Sequence, residues 1–339
     1  MARKSSNDVV TLGHGSGGAM MTRLITEELL PAIGGQSPEA LEDAAEIAVS
    51  DRSVMSTDSF TVRPLEFPGG NIGSLAVHGT VNDLAMRGAT PQYLSLGFII
   101  EEGLSLELLR RIVRSIGEAT AEADVQVVTG DTKVVERGSA DGIFINTTGI
   151  GHITGHSPSV TGARPGDTVI VNGTLGDHGV AVMIARDDLR IAAPVQSDTA
   201  SLHTLVAAML EAAGESVHVL RDLTRGGMAA GLNEIAHSSA VGMTLRETAI
   251  PVGPEVAGAC EILGLSPYVV ANEGKLVAVV APEAADAVLA AMKDHPLGKH
   301  ATKIGEVTGE RPGTVQIETP IGTHRILDLP AGELLPRIC

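Results

Sequence analysis

The sequence predicts an α+β protein of two domains, each a mixed β-sheet flanked by helices. Its 339 residues exceed what one small core organises, since domains hold about 100–200 residues. Strand-period and helix-period segments occur in both halves without the regular alternation of a doubly wound parallel sheet, so antiparallel pairs are expected. A Pro/Gly-rich stretch from Ser157 to Gly166, with SPS and ARPGD turn signals, separates the halves. The expected division is 1–160, 161–329 and a flexible tail, 330–339.

From the N-terminus, the glycine-rich opening Gly13-His14-Gly15-Ser16-Gly17-Gly18 feeds a helix whose apolar positions include Met20 and Leu24. Pro31 with Gly34-Gly35 stops that pattern. Short apolar runs, Ile47 to Val49 and Ser53 to Met55, precede the loop RPLEFPGGNIG and a helix from about Ile72 to Arg87. Ser105 is placed to N-cap the next helix, in which Leu106, Leu109, Ile112, Val113 and Ile116 share one face. VQVV reads as a strand ending at Thr129-Gly130-Asp131, and IFINTTGIGHI and TVIVNG read as strands on either side of the boundary. The second half continues with a helix over 200–214, strand VHVL, a helix from Gly227, strand LVAVV, a helix over 283–293, and strands near Ile304 and Val315.

Apolar residues make up 43% and charged residues 19%, the balance of a compact soluble protein. Aromatic residues are only 2%, which removes stacking platforms for single-stranded nucleic acid, and 24 basic against 41 acidic residues oppose binding to polyanions. Nucleic acid is therefore not an expected partner. The basic start, MARKSSNDVV, lacks a following apolar segment, and no run of about 18 apolar residues occurs, so no membrane partner and a cytoplasmic location are expected. Cys260 and Cys339 form neither a disulfide framework nor a CxxC pair. Cys260 lies on the apolar helical pattern VAGACEILGL and is expected to be buried.

Several Asp residues stand beside Ser, Thr, Asn or Gly at expected strand ends: Asp58 in Thr57-Asp58-Ser59, Asp83 after Asn82, Asp131 in Gly130-Asp131-Thr132-Lys133, and Asp222 in Asp222-Leu223-Thr224-Arg225-Gly226-Gly227. Asp43, in Glu42-Asp43-Ala44-Ala45, is another. Taken singly, each suits a turn or helix cap. Together they are the hard oxygen ligands that Mg²⁺ takes one or two at a time alongside water and phosphate. The backbone N–H groups of Gly15, Ser16 and Gly17, and again at Arg225-Gly226, suit a phosphate just before a helix, although a flexible linker and a surface ion pair explain them equally. Neither GxxxxGK[ST] nor GxGxxG in a βαβ setting is present. Lys133 is either a neutraliser of charge on a transferring phosphoryl group or an exposed lysine at a strand exit. Glu273, in Asn272-Glu273-Gly274-Lys275, is either a general base or a turn former.

The chain ends DLPAGELLPRIC. Pro330 and Pro336 exclude a helix, and ten extended residues reach about 33 Å, enough to carry Cys339 into a pocket. Most C-terminal tails are frayed and inert, but an exposed terminal thiol is reactive and unusual on such a tail, which makes Cys339 a candidate functional group on an extended arm.

The segments HGSGG at 14–18, STDSF at 56–60, FPGGNIG at 67–73, VNDLAMRGA at 81–89, VTGDTKVVERG at 128–138, GTLGDHG at 173–179, DLTRGG at 222–227, NEGKL at 272–276 and the terminal PRIC resemble those of one family over essentially the whole chain. It is the HypE family of hydrogenase maturation factors, within the PurM-like (aminoimidazole ribonucleotide synthetase) superfamily. The resemblance implies the two-domain PurM-like fold, a homodimer that pairs its N-terminal sheets, and ATP near that interface. It implies a carbamoyl group placed on Cys339 by the carbamoyltransferase HypF and dehydrated with ATP to a thiocyanate. The cyanide then passes to iron in the HypC–HypD complex during nickel-iron hydrogenase assembly. In that scheme Mg²⁺ is held by Asp43, Asp58, Asp83 and Asp222 with Asp131 nearby, and Lys133 stabilises transferred charge. Glu273 removes the amide protons, with His14 as competitor, and Cys339 holds the substrate. The implied nucleotide contacts are Gly15, Ser16, Gly17, Asp58, Asn82, Gly130, Asp131, Thr132, Arg225 and Gly226. Two other readings use the same residues. A superfamily enzyme with a free acceptor predicts that Cys339→Ser leaves ATP turnover unchanged, and a nucleotide-responsive scaffold predicts no covalent product.

Overall fold

In a computed structural model the chain is described over residues 9–16, 18–34, 44–186, 194–329 and 337–339. A 3₁₀ turn, Leu12–Gly15, precedes α1 (Ala19–Arg23), which continues through a π-helical segment (Leu24–Leu29) into α2 (Leu30–Ile33). Of the expected stop signal, Pro31 with Gly34-Gly35, the glycine ends the helix and the proline does not. Pro31 lies inside α2, just after the irregular π ladder, and the helix ends at Gly34, whose φ of +77° favours glycine.

Next come β1 (Ser53–Phe60), the short β2 (Glu66–Phe67) and β3 (Gly70–Asn71), α3 (Ile72–Met86), β4 (Thr90–Glu101), α4 (Leu106–Glu122), β5 (Gln126–Val135) and β6 (Ile143–His152). A four-stranded sheet runs β1-β6-β4-β5, antiparallel except for the parallel β4–β5 pair. α3 and α4 cover one face of it, sharing its core. Asn71 N-caps α3 by accepting from the Gly73 and Ser74 amides at 2.8 and 3.2 Å. Ser105 occupies the N-cap of α4 with extended backbone, but its hydroxyl makes no capping bond.

Two readings of this sheet needed correction. β4 was not among the expected strands, although Leu94, Leu96, Phe98 and Ile100 face the core at period two; Pro91 and Gly97 masked that signal. β5 does not end at Gly130 but runs on to Val135. Gly130 serves close approach instead of a turn, because a Cβ there would stand 2.6 Å from the Leu96 carbonyl oxygen.

The second half comprises β7 (Thr168–Val171), α5 (Asp177–Ile184), α6 (His203–Ala213), β8 (Val217–Asp222), α7 (Gly227–Ser238), β9 (Gly242–Arg246), α8 (Pro254–Leu263), β10 (Leu276–Val280), α9 (Ala285–Asp294), β11 (Thr302–Thr308), β12 (Val315–Glu318) and β13 (His324–Ile326). Its sheet runs β13-β12-β9-β11-β7-β10-β8, with β9 and β12 parallel and the other pairs antiparallel. β10 is buried at every position: Val277 and Val279 share a core with α7, while Leu276, Ala278 and Val280 pack with α6 and α9. The core of the first sheet continues past residue 160, taking in Val180 to Met183 of α5, Val256 and Cys260 of α8, and Ile338. The functional residues gather along this seam.

Candidate active site

Where the chain leaves β1, its next residues receive the last three of the protein. The Thr61 amide donates to the Cys339 carbonyl at 3.1 Å and the Arg63 amide to the Arg337 carbonyl at 3.2 Å. The Arg337 guanidinium donates back to the Thr61 carbonyl through Nε (3.1 Å) and Nη2 (3.0 Å), pairs with Asp141 and lies over the Phe144 ring. Ile338 is buried, and its carbonyl lies 2.8 Å from His178 Nε2. The end of the tail is thus docked through main-chain hydrogen bonds, and residues 330–336 lie outside the described residues.

Docking places Cys339 in a recess of about 220 Å³ that is also lined by Asp58 of β1, Asp83 of α3, Asp222 at the end of β8, Arg225 just beyond it, and Glu273 in the turn before β10. The carboxylates raise one another's proton affinity. Burial, then the Asp83 charge, push Asp222 up to about 7. Burial also raises Asp83, opposed by the Ser56 hydroxyl that donates to it at 2.6 Å and reinforced by Asp58. Glu273, only 2% exposed, is raised well above the usual range by burial and then by Asp198, Asp222 and Asp58, and its Oε1 has no hydrogen-bond partner among the described residues. Burial, followed by the Glu273 charge, pushes the Cys339 thiol far up. A docked Cys339 is therefore a neutral thiol, suited to holding a group and unsuited to attack.

Three of the five candidate metal ligands converge here. Asp58, Asp83 and Asp222 are hard oxygen donors whose mutual repulsion a divalent cation would relieve. Among the described residues no set of three His, Cys, Asp or Glu side chains stands ready to hold a metal unaided. One or two of these carboxylates could serve only a cation that takes the rest of its shell from phosphate and water. Asp43 and Gly17 lie outside the described residues. Asp131 does not join the cluster within one chain. It lies on β5, at the opposite edge of the sheet from β1 and about 14 Å away across three strand spacings, ion-paired with Lys133 at 2.9 Å. Only Asp222 has the expected strand-end position, since Asp58 and Asp131 lie within strands and Asp83 within a helix.

Asn82, expected as a nucleotide contact, is placed in this structure as an internal strut. It is 1% exposed, donates to the carbonyls of Ala200 (3.0 Å) and Glu273 (2.9 Å), and accepts from the Leu202 amide at 2.7 Å. Both of its donors are committed. His14 is likewise not beside Glu273: its Nδ1 accepts from the Thr11 amide at 3.0 Å, and it does not line the recess. Its neighbour Gly15 packs on β5, where a Cβ would stand 2.6 Å from the Val134 amide nitrogen, and the Ser16 hydroxyl donates to the Gly13 carbonyl at 2.9 Å. Gly130, Asp131 and Thr132 line a second cavity, of about 230 Å³, with Met21, Ile25 and Leu29. Gly226, at φ +76°, forms the N-cap of α7 and does not line the recess. Apart from Asn82 and Gly226, the described candidates thus form two groups within one chain, one in the recess and one along β5.

Sequence reasoning did not single out Asp198, His178 or Thr61. Asp198 accepts from the Glu273 amide at 3.0 Å and from Lys275 Nζ at 2.8 Å. Burial alone would raise its pKa, but Lys275 holds the carboxyl below its usual range. Nothing local in Gln196-Ser197-Asp198-Thr199 announces this, whereas His178 sits inside GTLGDHG, a segment the resemblance already marked.

Residues 41–153 match the family described as AIR synthase related protein, N-terminal domain, and residues 164–318 match AIR synthase related protein, C-terminal domain. The chain is 56% identical over 335 residues to the carbamoyl dehydratase HypE of Bradyrhizobium diazoefficiens, covering 98% of this chain and 97% of that one. A crystal structure of the hydrogenase maturation protein HypE in complex with ATP is similar with a TM-score of 0.93 at 48% identity, over 97% of this chain and 99% of that one. A chain of a crystal structure of a HypE–HypF complex is similar with a TM-score of 0.80 at 49% identity, over 92% of this chain and 100% of that one. With its terminal thiol docked in an acidic recess between two such halves, the chain belongs to the HypE family of carbamoyl dehydratases, on the AIR synthase related, PurM-like fold.

Proposed function

We propose that this protein carries a carbamoyl group as an S-carboxamide on Cys339 and dehydrates it with ATP to a thiocyanate, the source of the cyanide ligand on the iron of nickel-iron hydrogenase. The observation that carries the reading is the docking of Cys339 Sγ among Asp58, Asp83, Asp222, Arg225 and Glu273.

An amide oxygen leaves poorly. Transfer of the γ-phosphoryl group of ATP to that oxygen releases ADP and costs the amide nitrogen one proton. Departure of phosphate then breaks the C–O bond as the second N–H proton is lost, leaving S–C≡N. Arg225 offers positive charge to the phosphoryl group, and Asp58, Asp83 and Asp222 are the residues to hold Mg²⁺, which would neutralise phosphate charge. Glu273 takes up one amide proton, and the departing phosphate, whose oxygens are basic, carries off the other. It holds its own proton tightly while Asp58 and Asp222 are negative, so it becomes a base only once that charge is neutralised.

Asp131 and Lys133 enter this scheme through a second copy, in a homodimer that pairs the N-terminal sheets with ATP near the interface. In support, β5 is an edge strand and the Asp131–Lys133 pair is exposed on it. HypF supplies the carbamoyl group and the HypC–HypD complex accepts the cyanide. The division into 1–160 for ATP binding and dimerisation, 161–329, and a carrier tail belongs to the same reading, as does a cytoplasmic location. No helix among the described residues is long and apolar enough to cross a membrane.

The test is to incubate the carbamoylated protein with Mg²⁺ and ATP and weigh the C-terminal peptide. Loss of one water is the expected result. ATP consumption with an unchanged peptide mass would exclude the dehydratase reading.

A further inference from the structure

His178, the second residue of α5, is fully buried, and the dehydration scheme does not use it. Its ring is held on both sides. The Ile338 carbonyl, 2.8 Å from Nε2, can only accept, so Nε2 carries the hydrogen. Burial pushes the imidazole pKa down and keeps the ring neutral, which leaves Nδ1 an acceptor. Ser197 Oγ, 2.8 Å away, donates to Nδ1 and itself accepts from the Thr199 amide at 3.1 Å. The Phe67 ring meets the imidazole edge-on, with centroids 5.3 Å apart. Nε2 also stands 3.9 Å from Glu273 Oε1, the buried carboxyl oxygen that lacks a partner among the described residues. One neutral ring therefore lies between the peptide bond that carries Cys339 and the group that takes up protons.

We infer that His178 is a positioning residue: its Nε2–H bond to the Ile338 carbonyl seats the tail so that the group on Cys339 faces Glu273, and the Ser197 hydroxyl fixes the tautomer that makes this bond. The consequence for catalysis rests on Cys339 being the substrate carrier, but the seating itself is measurable without turnover. Other contacts to the described end of the tail, from Thr61, Arg63 and Arg186, engage residue 337 or the terminal carbonyl, whereas His178 grips the peptide bond leading into Cys339.

The full-length protein, uncarbamoylated, is treated with iodoacetamide and alkylation of Cys339 is followed by peptide mass, with buried Cys260 as the internal control of folding. The docked thiol is half-buried and burial disfavours its thiolate, so alkylation is expected to come mainly from the undocked state and its rate to follow that fraction. Loss of one hydrogen bond in His178→Ala is expected to raise the rate about fivefold to tenfold. His178→Gln keeps an N–H donor at similar reach and is expected to stay within about twofold of the parent, with Ser197→Ala between the two. In single-turnover dehydration of carbamoylated protein, His178→Ala is expected to slow and His178→Gln to recover, at unchanged ATP affinity. Equal alkylation of parent and His178→Ala with Cys260 protected, or no rescue by Gln, overturns the inference. If Cys260 becomes reactive in His178→Ala, Ser197→Ala decides instead, and an unchanged rate there overturns it. Faster alkylation in the variants together with no thiocyanate from the parent would uphold the seating and remove the dehydratase reading.

Discussion

The side-chain amide of Asn82, in α3, donates to the main-chain carbonyl of Glu273, 191 residues further on, at 2.9 Å. The same side chain holds Ala200 and Leu202, so one residue of the first half fixes the segment that carries the proposed base. A buried amide with every donor committed ties the two halves together where the recess forms.

Truncating that strut leaves three main-chain groups without a partner. Asn82→Ala is expected to lower unfolding stability by about 3 kcal/mol and to impair thiocyanate formation, as read by urea unfolding and C-terminal peptide mass. Parent-like stability together with parent-like turnover would contradict the assignment.

The recess should make stability fall with pH. Asp222 has a folded value near 7, above its ordinary value of 3.8, and Glu273 is shifted in the same direction. For such groups the folded state binds protons more tightly than the unfolded chain. Their contribution is complete below about pH 4 and is lost as pH rises through the folded values. Asp222→Asn is accordingly expected to exceed the parent in stability at pH 8 by on the order of 2–4 kcal/mol, with the gain shrinking toward pH 4. A gain that is equal at both pH values would show that repulsion in the recess is not its source.

Asp198 obeys the opposite sign. Lys275 keeps its folded value low, so its contribution is present above about pH 4 and is lost as pH falls through the folded value. Lys275→Met strands a buried carboxylate and is expected to cost about 3–5 kcal/mol at pH 7, with less lost near pH 4. Adding Asp198→Asn to Lys275→Met should restore most of the loss. If the double variant is no better than the single one, the ion pair is not what holds the Glu273 turn.

The homodimer proposal predicts complementation between chains. Lys133→Ala and Cys339→Ser are each expected to abolish thiocyanate formation alone, and mixing carbamoylated Lys133→Ala with Cys339→Ser, which supplies Lys133 but no carrier thiol, should recover part of it. If Lys133 acted on the Cys339 of its own chain, mixing would recover nothing.

The helices and buried strands were legible where a single face or a single strand carries the signal. The stripe Leu106, Leu109, Ile112, Val113 and Ile116 is buried in α4, and LVAVV is β10. Misreadings came where a residue type serves a neighbour in space. Gly130 resembles a turn but makes room for the Leu96 carbonyl, and Asn82, beside Asp83, resembles a phosphate contact but braces Glu273. Asp198 carried no local pattern because its partners, the Glu273 amide and the Lys275 ammonium, lie more than seventy positions away.

By itself the sequence determined the chemical vocabulary of this protein: a terminal thiol on an extended arm, a surplus of loop-prone Asp, and segments that together mark one family. Residue type and short-range spacing suffice for these, since reactivity and helix or strand periodicity are local properties. Only the tertiary structure decided which carboxylates meet, because sheet order places β1 and α3 at the recess and leaves β5 on the far edge. It also decided the state of Cys339. A thiol free in solvent on an extended arm becomes half-buried in the acidic recess once Ile338 enters the core, and burial above all disfavours its thiolate.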